Sequence, residues 1–166
     1  MTRIGLISDT HGWLDDAVFR HFENCDEVWH GGDFGNEEVA DALAAFRPLR
    51  GVYGNIDGAA LRSRFPVKLS WTCEDVRILM THIGGYPGRY APGIGAEIAS
   101  TKAGLFIAGH SHILKVIYDD RSKCLHMNPG AAGKQGWHQV RTLLRFTIDG
   151  ADIRDCSVVE LGPRSR

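Results

Sequence analysis

Several features that would restrict the function are missing from this 166-residue sequence. It has only four cysteines and no Cys-x-x-Cys pair, which argues against a zinc ribbon and against a thioredoxin-like redox site. It has no basic-then-apolar leader and no apolar run of about 20 residues, so we expect a cytoplasmic protein without a membrane-spanning segment. Its 19 basic and 20 acidic residues nearly cancel, and the net charge of -1 gives no strong signal for nucleic-acid binding.

The composition is that of a folded domain. Hydrophobic residues make up 43% of the chain and charged residues 23%, which is enough apolar surface for a buried core and too much for a disordered chain. We find no internal repeat and no linker of the kind that separates domains. We therefore expect a single domain spanning residues 1–166.

The first third of the chain alternates between short apolar runs and segments of helical periodicity. This alternation is typical of strand–helix–strand units, in which the strands are parallel and the functional loops follow their carboxyl ends. The fold class is therefore α/β. The segments are a strand at Ile4–Ile7, a helix from Leu14 to Phe22, a strand at Val28–His30, a helix through Val39, Leu43 and Phe46, and a strand at Leu49–Tyr53.

Further along, the pattern changes from alternation to strands alone. Two more strands are predicted at Val76–Met80 and Leu105–Ala108, each followed by polar residues. From about residue 115 we expect antiparallel hairpins, because short polar turns separate the apolar runs. These last runs are Lys115–Tyr118, Cys124–Met127, Arg141–Ile148 and Ile153–Glu160.

Five successive predicted strands end in a carboxylate, a carboxamide or an imidazole. In an open parallel sheet all such ends face the same edge, so we expect these side chains to meet in one pocket. Taken singly, each of them is more often a structural residue. The residues are Asp9, His11, Asp33, Asn55, His82, His110 and His112.

This combination of two aspartates, four histidines and one asparagine is typical of a metal site. Imidazole and carboxylate donors together suit Mn, Fe or Zn, and seven donors exceed the four that one tetrahedral ion takes. The residues therefore predict two ions that share one ligand.

The same residues lie in blocks that resemble the calcineurin-like metallophosphoesterases, and among them the small bacterial YfcE-type phosphodiesterases. The resemblance implies a four-layer αββα sandwich of two packed sheets between helices. The blocks follow the order of that family and are Ser-Asp9-Thr-His11-Gly, Gly-Gly-Asp33, Gly-Asn55-Ile-Asp57, Thr-His82, Gly-His110-Ser-His112 and Asn128-Pro129-Gly130.

The resemblance also implies which residues hold which ion. Asp33 would bridge two divalent ions, for which Mn²⁺ is favoured and Fe, Zn, Ni or Mg remain open. Asp33, Asn55 and His82 would stand at the catalytic centre. One ion would be held by Asp9, His11, Asp33 and His112, and the other by Asp33, Asn55, His82 and His110.

The implied activity is hydrolysis of a phosphodiester in a small phosphoester substrate, by water or hydroxide activated between two metal ions. Two other enzymatic functions of the same site stay open: a phosphomonoesterase and a nucleotide pyrophosphatase. A third alternative is a non-catalytic protein-binding scaffold of the same fold. The intact set of ligand residues favours an enzyme over the scaffold.

The chain departs from larger members of that family at two positions. Ile56 stands where they carry a histidine thought to protonate the leaving group, although the YfcE-type branch also lacks it. Gly84 stands where many relatives carry a second imidazole after the one at His82. We therefore expect weak assistance to poor leaving groups and a single imidazole from this strand end.

Other residues near the predicted site are first expected to be structural. For the Gly- and Pro-rich segment 84–93 we favour a surface loop over a lid, and for Arg62, Arg89 and Lys134 solvated charges over phosphate contacts. We expect His30, His126 and His138 to be structural or to support neighbouring ligands. Whether the protein is a homo-oligomer through Trp137 or the segment 86–90 stays open.

Overall fold

Two five-stranded β-sheets face each other in the computed structural model, which describes residues 1–165. A two-stranded hairpin and four helices complete the elements. Along the chain they are β1 (Thr2–Ile7), α1 (Ala17–His21), β2 (Glu27–His30), α2 (Glu37–Phe46), β3 (Leu49–Gly51), α3 (Ala59–Arg64), β4 (Lys68–Cys73), β5 (Val76–Thr81), β6 (Gly85–Tyr86), β7 (Arg89–Tyr90), α4 (Ile94–Thr101), β8 (Leu105–Ile107), β9 (Leu114–Asp119), β10 (Cys124–Pro129), β11 (Val140–Asp149) and β12 (Asp152–Pro163).

Both sheets combine a parallel centre with antiparallel edges. The first has the order β12-β11-β1-β2-β3, in which β1, β2 and β3 are parallel and the β11–β12 hairpin is antiparallel. The second has the order β4-β5-β8-β10-β9, in which β5, β8 and β10 are parallel and the two edge strands are antiparallel. The predicted hairpins of the second half are thus confirmed.

Three apolar clusters separate four layers. The central cluster lies between the sheets and joins Ile4 and Trp29 of the first sheet to Ile78 and Ile107 of the second. A second cluster packs α1 and α2 on the outer face of the first sheet, and a third packs α4 on the outer face of the second. The four-layer αββα sandwich is therefore confirmed.

The residue pattern alone suggested one open parallel sheet for the five strand ends, and that inference was wrong. The ends of β1, β2 and β3 belong to the first sheet, whereas the ends of β5 and β8 belong to the second. The sequence analysis missed the strand β4. This strand pairs with β5 and begins the second sheet. The carboxyl ends still meet, because the two sheets pack against each other.

Some boundaries also differ from the sequence reading. The first helix begins at Ala17 instead of Leu14, and the Asp15 carboxylate accepts a hydrogen bond from the Ala17 N–H at 2.9 Å. Asp15 also pairs with Arg141 at 2.9 Å, so it joins the start of α1 to β11. The third strand ends at Gly51, before the expected Tyr53.

The Gly- and Pro-rich segment 84–93 is not structureless. It forms the short β6–β7 hairpin and then leads into α4, a helix that the sequence reading missed. The Tyr90 hydroxyl donates to Asp119 at 2.7 Å and so ties this hairpin to the second sheet. Within the described residues, the helices are all too short or too polar to span a bilayer.

Two buried imidazoles are held in their neutral form. His30 accepts from the Gly32 N–H at 3.0 Å through Nδ1, and its Nε2 therefore donates to the Thr10 hydroxyl at 3.0 Å. Burial lowers the pKa of His30 to about 3. Burial likewise lowers the pKa of His126 to about 4.

These two rings predict acid destabilisation of the metal-free chain. In the unfolded chain both rings take up protons below about pH 6.5, whereas in the folded chain both rings stay uncharged there. The free energy of unfolding should therefore fall between about pH 6.5 and 5, by up to about 1.4 kcal/mol per pH unit for each ring. Urea denaturation at several pH values measures this slope, and His126→Phe should reduce it. A free energy of unfolding that is constant over this interval would contradict the prediction.

Candidate metal centre

All seven predicted site residues lie in the loops that follow five strands, and these loops converge where the two sheets meet. The convergence comes from long-range contacts: the His110 N–H donates to the Asp9 carboxylate at 3.1 Å, across 101 residues of sequence. Six of the seven form two groups of potential ligand atoms, each within 4.8 Å of one another. The groups are Asp9, His11 and His112, and Asp33, His82 and His110.

The backbone is unusual at the same residues. Among the described residues, nine non-glycine positions have a left-handed backbone, and five of them are predicted ligands. Such conformations cost energy and persist where the surrounding structure fixes them, so they cluster at functional sites. They turn each side chain away from its strand and into the common pocket. The five are Asp9, His11, Asp33, His110 and His112.

Asp9 uses its two carboxylate oxygens differently. Oδ2 accepts hydrogen bonds from the Ser8 hydroxyl at 2.6 Å and from the His110 N–H. Oδ1 lies 3.1 Å from His112 Nε2 and 3.7 Å from His11 Nε2. One oxygen therefore fixes the carboxylate, and the other is presented to the imidazoles.

Asp33 repeats this arrangement in the second group. Its Oδ1 accepts from the Ile56 N–H at 3.1 Å. Its Oδ2 lies 3.1 Å from His82 Nε2 and 3.4 Å from His11 Nε2. Asp33 Oδ2 thus faces imidazoles of both groups, which is the position that a shared ligand needs.

Asn55 joins the second group through its side-chain oxygen. Asn55 Oδ1 lies 3.1 Å from His110 Nδ1. Neighbouring ligand atoms around one ion of this size stand about 3–3.5 Å apart, given ion–ligand distances of about 2.1 Å. The 3.1 Å separations at Asn55, Asp33 and Asp9 agree with that spacing, and the 3.7 Å between Asp9 Oδ1 and His11 Nε2 is slightly longer.

The pocket contains polar atoms that lack partners within residues 1–165. They are Asp9 Oδ1, both ring nitrogens of His11, and His82 Nε2, all of them buried. Buried polar groups are almost always hydrogen-bonded, so such a cluster calls for an explanation. Cations placed between these atoms would satisfy Asp9 Oδ1, His82 Nε2 and one ring nitrogen of His11, and imidazole with carboxylate is the donor set of divalent transition metals. The residues present therefore fit two metal ions.

Neighbouring groups hold two of the imidazoles in the tautomer that a metal requires. His82 Nδ1 donates to the Gly31 carbonyl at 2.7 Å, which leaves the lone pair of Nε2 pointing into the pocket. His138 Nε2 donates to the Gly133 carbonyl at 2.8 Å, so its Nδ1 accepts from His112 Nδ1 at 3.2 Å. The lone pair of His112 Nε2 then faces Asp9.

The electrostatics of the metal-free pocket favour cations. Burial by itself would raise the pKa of Asp9 and Asp33, but the neighbouring histidines, when protonated, outweigh burial and lower the pKa of both carboxylates. Asp9 stabilises a protonated His11 ring and so raises the pKa of His11, and the two carboxylates raise the pKa of His82 against the effect of burial. Protons and metal ions therefore compete for the same donors, and metal binding should weaken at low pH.

Sequence reasoning missed the buried residue Asp57 as a support of the site. Its carboxylate accepts from the N–H groups of Gly54 at 2.8 Å, Gly35 at 2.9 Å and Phe34 at 3.2 Å. Asp57 thereby joins the loop of Asn55 to the loop of Asp33. The block Gly-Asn55-Ile-Asp57 was the available signal, although it does not say which backbone groups the carboxylate binds.

The structure assigns positions to the other residues singled out in the sequence. Asn128 donates to the Gly109 carbonyl and to the Ser111 hydroxyl, both at 3.1 Å, and so supports the loop of His110 and His112. Arg62 donates to the carbonyls of Asp57 and Asn55 at 2.6 and 3.3 Å, which fits a structural role. The Lys134 ammonium lies 4.1 Å from the centre of the Trp13 ring.

A cavity of about 440 Å³ opens beside the second group. Its lining includes Asn55 and His82 together with the apolar residues Val67, Ile83 and Pro92. Its place next to two predicted ligands makes it the natural space for part of a substrate.

Gly54 offers a test of the Asp33 position. A Cβ atom at Gly54 would lie 2.0 Å from Asp33 Oδ1, whereas one at Gly58 in the same loop would meet nothing within 4 Å. Gly54→Ala should displace the Asp33 carboxylate and lower metal affinity about tenfold or more, and Gly58→Ala should leave it unchanged. Calorimetric titration with Mn²⁺ or Zn²⁺ measures both. Equal metal affinities in the two variants would show that Asp33 is not a metal ligand.

Comparisons with known proteins find similar sequences. The family model described as "Calcineurin-like phosphoesterase superfamily domain" matches residues 2–151. A probable metallophosphoesterase of Methanocaldococcus jannaschii is 31% identical over 135 residues, which cover 77% of this chain and 67% of that protein.

Solved structures share the fold at low sequence identity. A structure described as a novel archaeal phosphodiesterase has a TM-score of 0.72 and 22% identity, and covers 96% of this chain and 99% of its own. Vps29 from Entamoeba histolytica, solved with Zn²⁺, has a TM-score of 0.74 and 15% identity, with 95% and 98% covered. Since the family model spans most of the residues, this chain belongs to the calcineurin-like phosphoesterases, a family that binds divalent metals.

Proposed function

We propose that this protein is a metal-dependent phosphodiesterase that uses two divalent ions. The observation that carries the proposal is Asp33 Oδ2, which faces His82 Nε2 at 3.1 Å and His11 Nε2 at 3.4 Å while the other oxygen is fixed by the backbone. In this assignment Asp33 is the ligand that both ions share. One ion lies among Asp9, His11, Asp33 and His112, and the other among Asp33, Asn55, His82 and His110.

Two bound ions would supply positive charge to the phosphoryl oxygens and lower the pKa of the attacking water. Hydrolysis forms one bond between a water oxygen and phosphorus, and it breaks one ester bond to release an alcohol. The chain contributes by fixing geometry: the backbone holds Asp9 and Asp33, and Gly31 and His138 orient His82 and His112. Preorganised donors of this kind need little rearrangement during the reaction.

The residue after Asn55 supports a diester with a good leaving group. Ile56 is 48% exposed beside the site, and its side chain has no proton to donate. Without a general acid there, a leaving group must depart as a weak base. The archaeal phosphodiesterase described above shares this fold and adds support.

Mn²⁺ is the ion we propose, because mixed imidazole and carboxylate donors suit it better than they suit Mg²⁺. The zinc in the Vps29 structure belongs to that protein, and makes Zn²⁺ the first alternative to test here.

We propose the cytoplasm as the location. All four cysteines are free thiols, and Cys25, Cys73 and Cys124 are buried. Reduced cysteines are the ordinary state in that compartment.

Removal and return of metal tests the function. Chelation should abolish hydrolysis of bis(p-nitrophenyl) phosphate, and Mn²⁺ should restore it better than Mg²⁺, with Zn²⁺, Fe²⁺ and Ni²⁺ assayed in parallel. Hydrolysis of p-nitrophenyl phosphate and of a dinucleotide pyrophosphate should be at least about tenfold slower in kcat/KM, which is the preference that defines a diesterase. p-Nitrophenyl phosphate has the same leaving group as the diester, so that comparison does not depend on leaving-group assistance.

Other outcomes of this assay contradict the proposal in distinct ways. Activity that survives when elemental analysis finds no metal would exclude the mechanism. Faster cleavage of the monoester or the pyrophosphate would favour those activities instead. Stoichiometric metal binding without turnover of any ester would favour the non-catalytic protein-binding scaffold.

Ile56 gives a second test, because it separates leaving-group assistance from metal chemistry. Ile56→His should flatten the dependence of kcat/KM on leaving-group pKa. It should also raise kcat/KM for alkyl diesters at least about tenfold relative to kcat/KM for aryl diesters. The Ile56 N–H that holds Asp33 is unaffected by this change of side chain. Ile56→Asn is the matched control, since it adds polarity without an acid. An unchanged slope in metal-loaded Ile56→His would show that the acid comes from elsewhere or that leaving-group departure is not limiting.

A further inference from the structure

A second, smaller cavity of about 220 Å³ borders the candidate metal centre on the outer face of the second sheet. His110, one of the predicted ligands, forms part of its wall, and the β6–β7 hairpin covers it. Ile83, which is 49% exposed, lines both this cavity and the 440 Å³ cavity beside Asn55. The two cavities therefore adjoin at Ile83, and each is lined by a predicted ligand.

His126 lines this cavity and leaves one hydrogen-bonding atom unused. Its ring is only 1% exposed and stacks on Phe106, with ring centres 5.3 Å apart. Nδ1 donates to the Phe106 carbonyl at 3.1 Å, so Nε2 of the neutral ring is an acceptor. Within residues 1–165, Nε2 has no partner. A buried acceptor of this kind calls for a donor, and a group bound in the cavity can supply one.

The rest of the lining restricts what that donor is. The Lys115 ammonium lies 4.3 Å from the centre of the Tyr86 ring, and Arg89 stands at the exposed rim. These two positive charges disfavour an ammonium group in the cavity. The Asn128 side-chain NH₂ donates to the Gly109 carbonyl and the Ser111 hydroxyl, and its oxygen accepts from the Gly130 N–H. Asn128 therefore offers no free acceptor to a ligand. A neutral hydroxyl is the donor that fits His126.

We propose that this cavity binds one ester arm of the phosphodiester substrate, and that this arm is a small hydroxyl-bearing group of the polyol or sugar class. The inference rests on the proposed function. The volume is about seven times the share of one water molecule in the liquid, which leaves room for a short polyol or one sugar ring. The other arm then lies across Ile83, in the apolar 440 Å³ cavity.

Two matched diesters test the assignment. p-Nitrophenyl 2,3-dihydroxypropyl phosphate and p-nitrophenyl propyl phosphate have the same leaving group and differ only in the hydroxyls. Wild-type kcat/KM should favour the dihydroxypropyl ester about tenfold, the effect of one good hydrogen bond. His126→Phe retains the aromatic stack and should reduce this ratio to about one. His21→Phe, which changes a histidine on helix α1, is the control and should retain the wild-type ratio.

A binding measurement on the unmodified chain does not depend on turnover or on the folding of a variant. Glycerol 3-phosphate and propyl phosphate are titrated into the Zn²⁺-loaded protein, and the ¹⁵N shift of His126 Nε2 is followed by NMR. The glycerol ester alone should move that resonance. If both ligands or neither move it, or if the two diesters react equally in wild type, the subsite assignment is overturned. Absence of diester cleavage with every ion would overturn the proposed function instead, and the titration would still decide the subsite.

Discussion

The arrangement at the sheet ends depends on how two buried carboxylates divide their oxygens. In Asp9 and in Asp33 one oxygen is held by backbone N–H groups or a hydroxyl, and the other faces imidazoles. Of these two facing oxygens, Asp9 Oδ1 has no hydrogen-bond partner in the described chain. Acceptors that face unprotonated ring nitrogens are costly unless cations occupy the space between them. The loops, the glycine at position 54 and the support from Asp57 all preserve this division.

The sequence predicted the chemistry of the site better than the path of the chain. Apolar runs ending in Asp9, Asp33 or His82 were visible because strand ends and ligand types coincide locally. The residue pattern alone did not show the split into two sheets, which only the family resemblance implied. That split depends on β4 (Lys68–Cys73), whose alternation of polar and apolar residues is typical of a half-buried strand but does not say which strand it pairs with. Long-range pairing decides such a strand, and composition does not.

The supporting residues were harder to predict than the ligands. His138 lies 26 residues from His112, and only the folded loop brings the Nδ1 atoms of the two rings within 3.2 Å of each other. The left-handed backbone at Asp9, His11, Asp33, His110 and His112 also has no signature in a single sequence, since aspartate and histidine adopt it only when neighbours enforce it. Residue identity shows which atoms are available, and tertiary contacts decide how they are aimed.

The hydrogen bond between the His110 N–H and Asp9 spans 101 residues and has a consequence for folding. A chain in which only the first sheet has formed holds Asp9, His11 and Asp33 but lacks the imidazoles contributed by β5 and β8. The full ligand set therefore exists only after the sheets have docked, and any ion that binds it stabilises the docked state by mass action. Metal supply would then govern how long the two halves stay together as well as how fast a bond is broken.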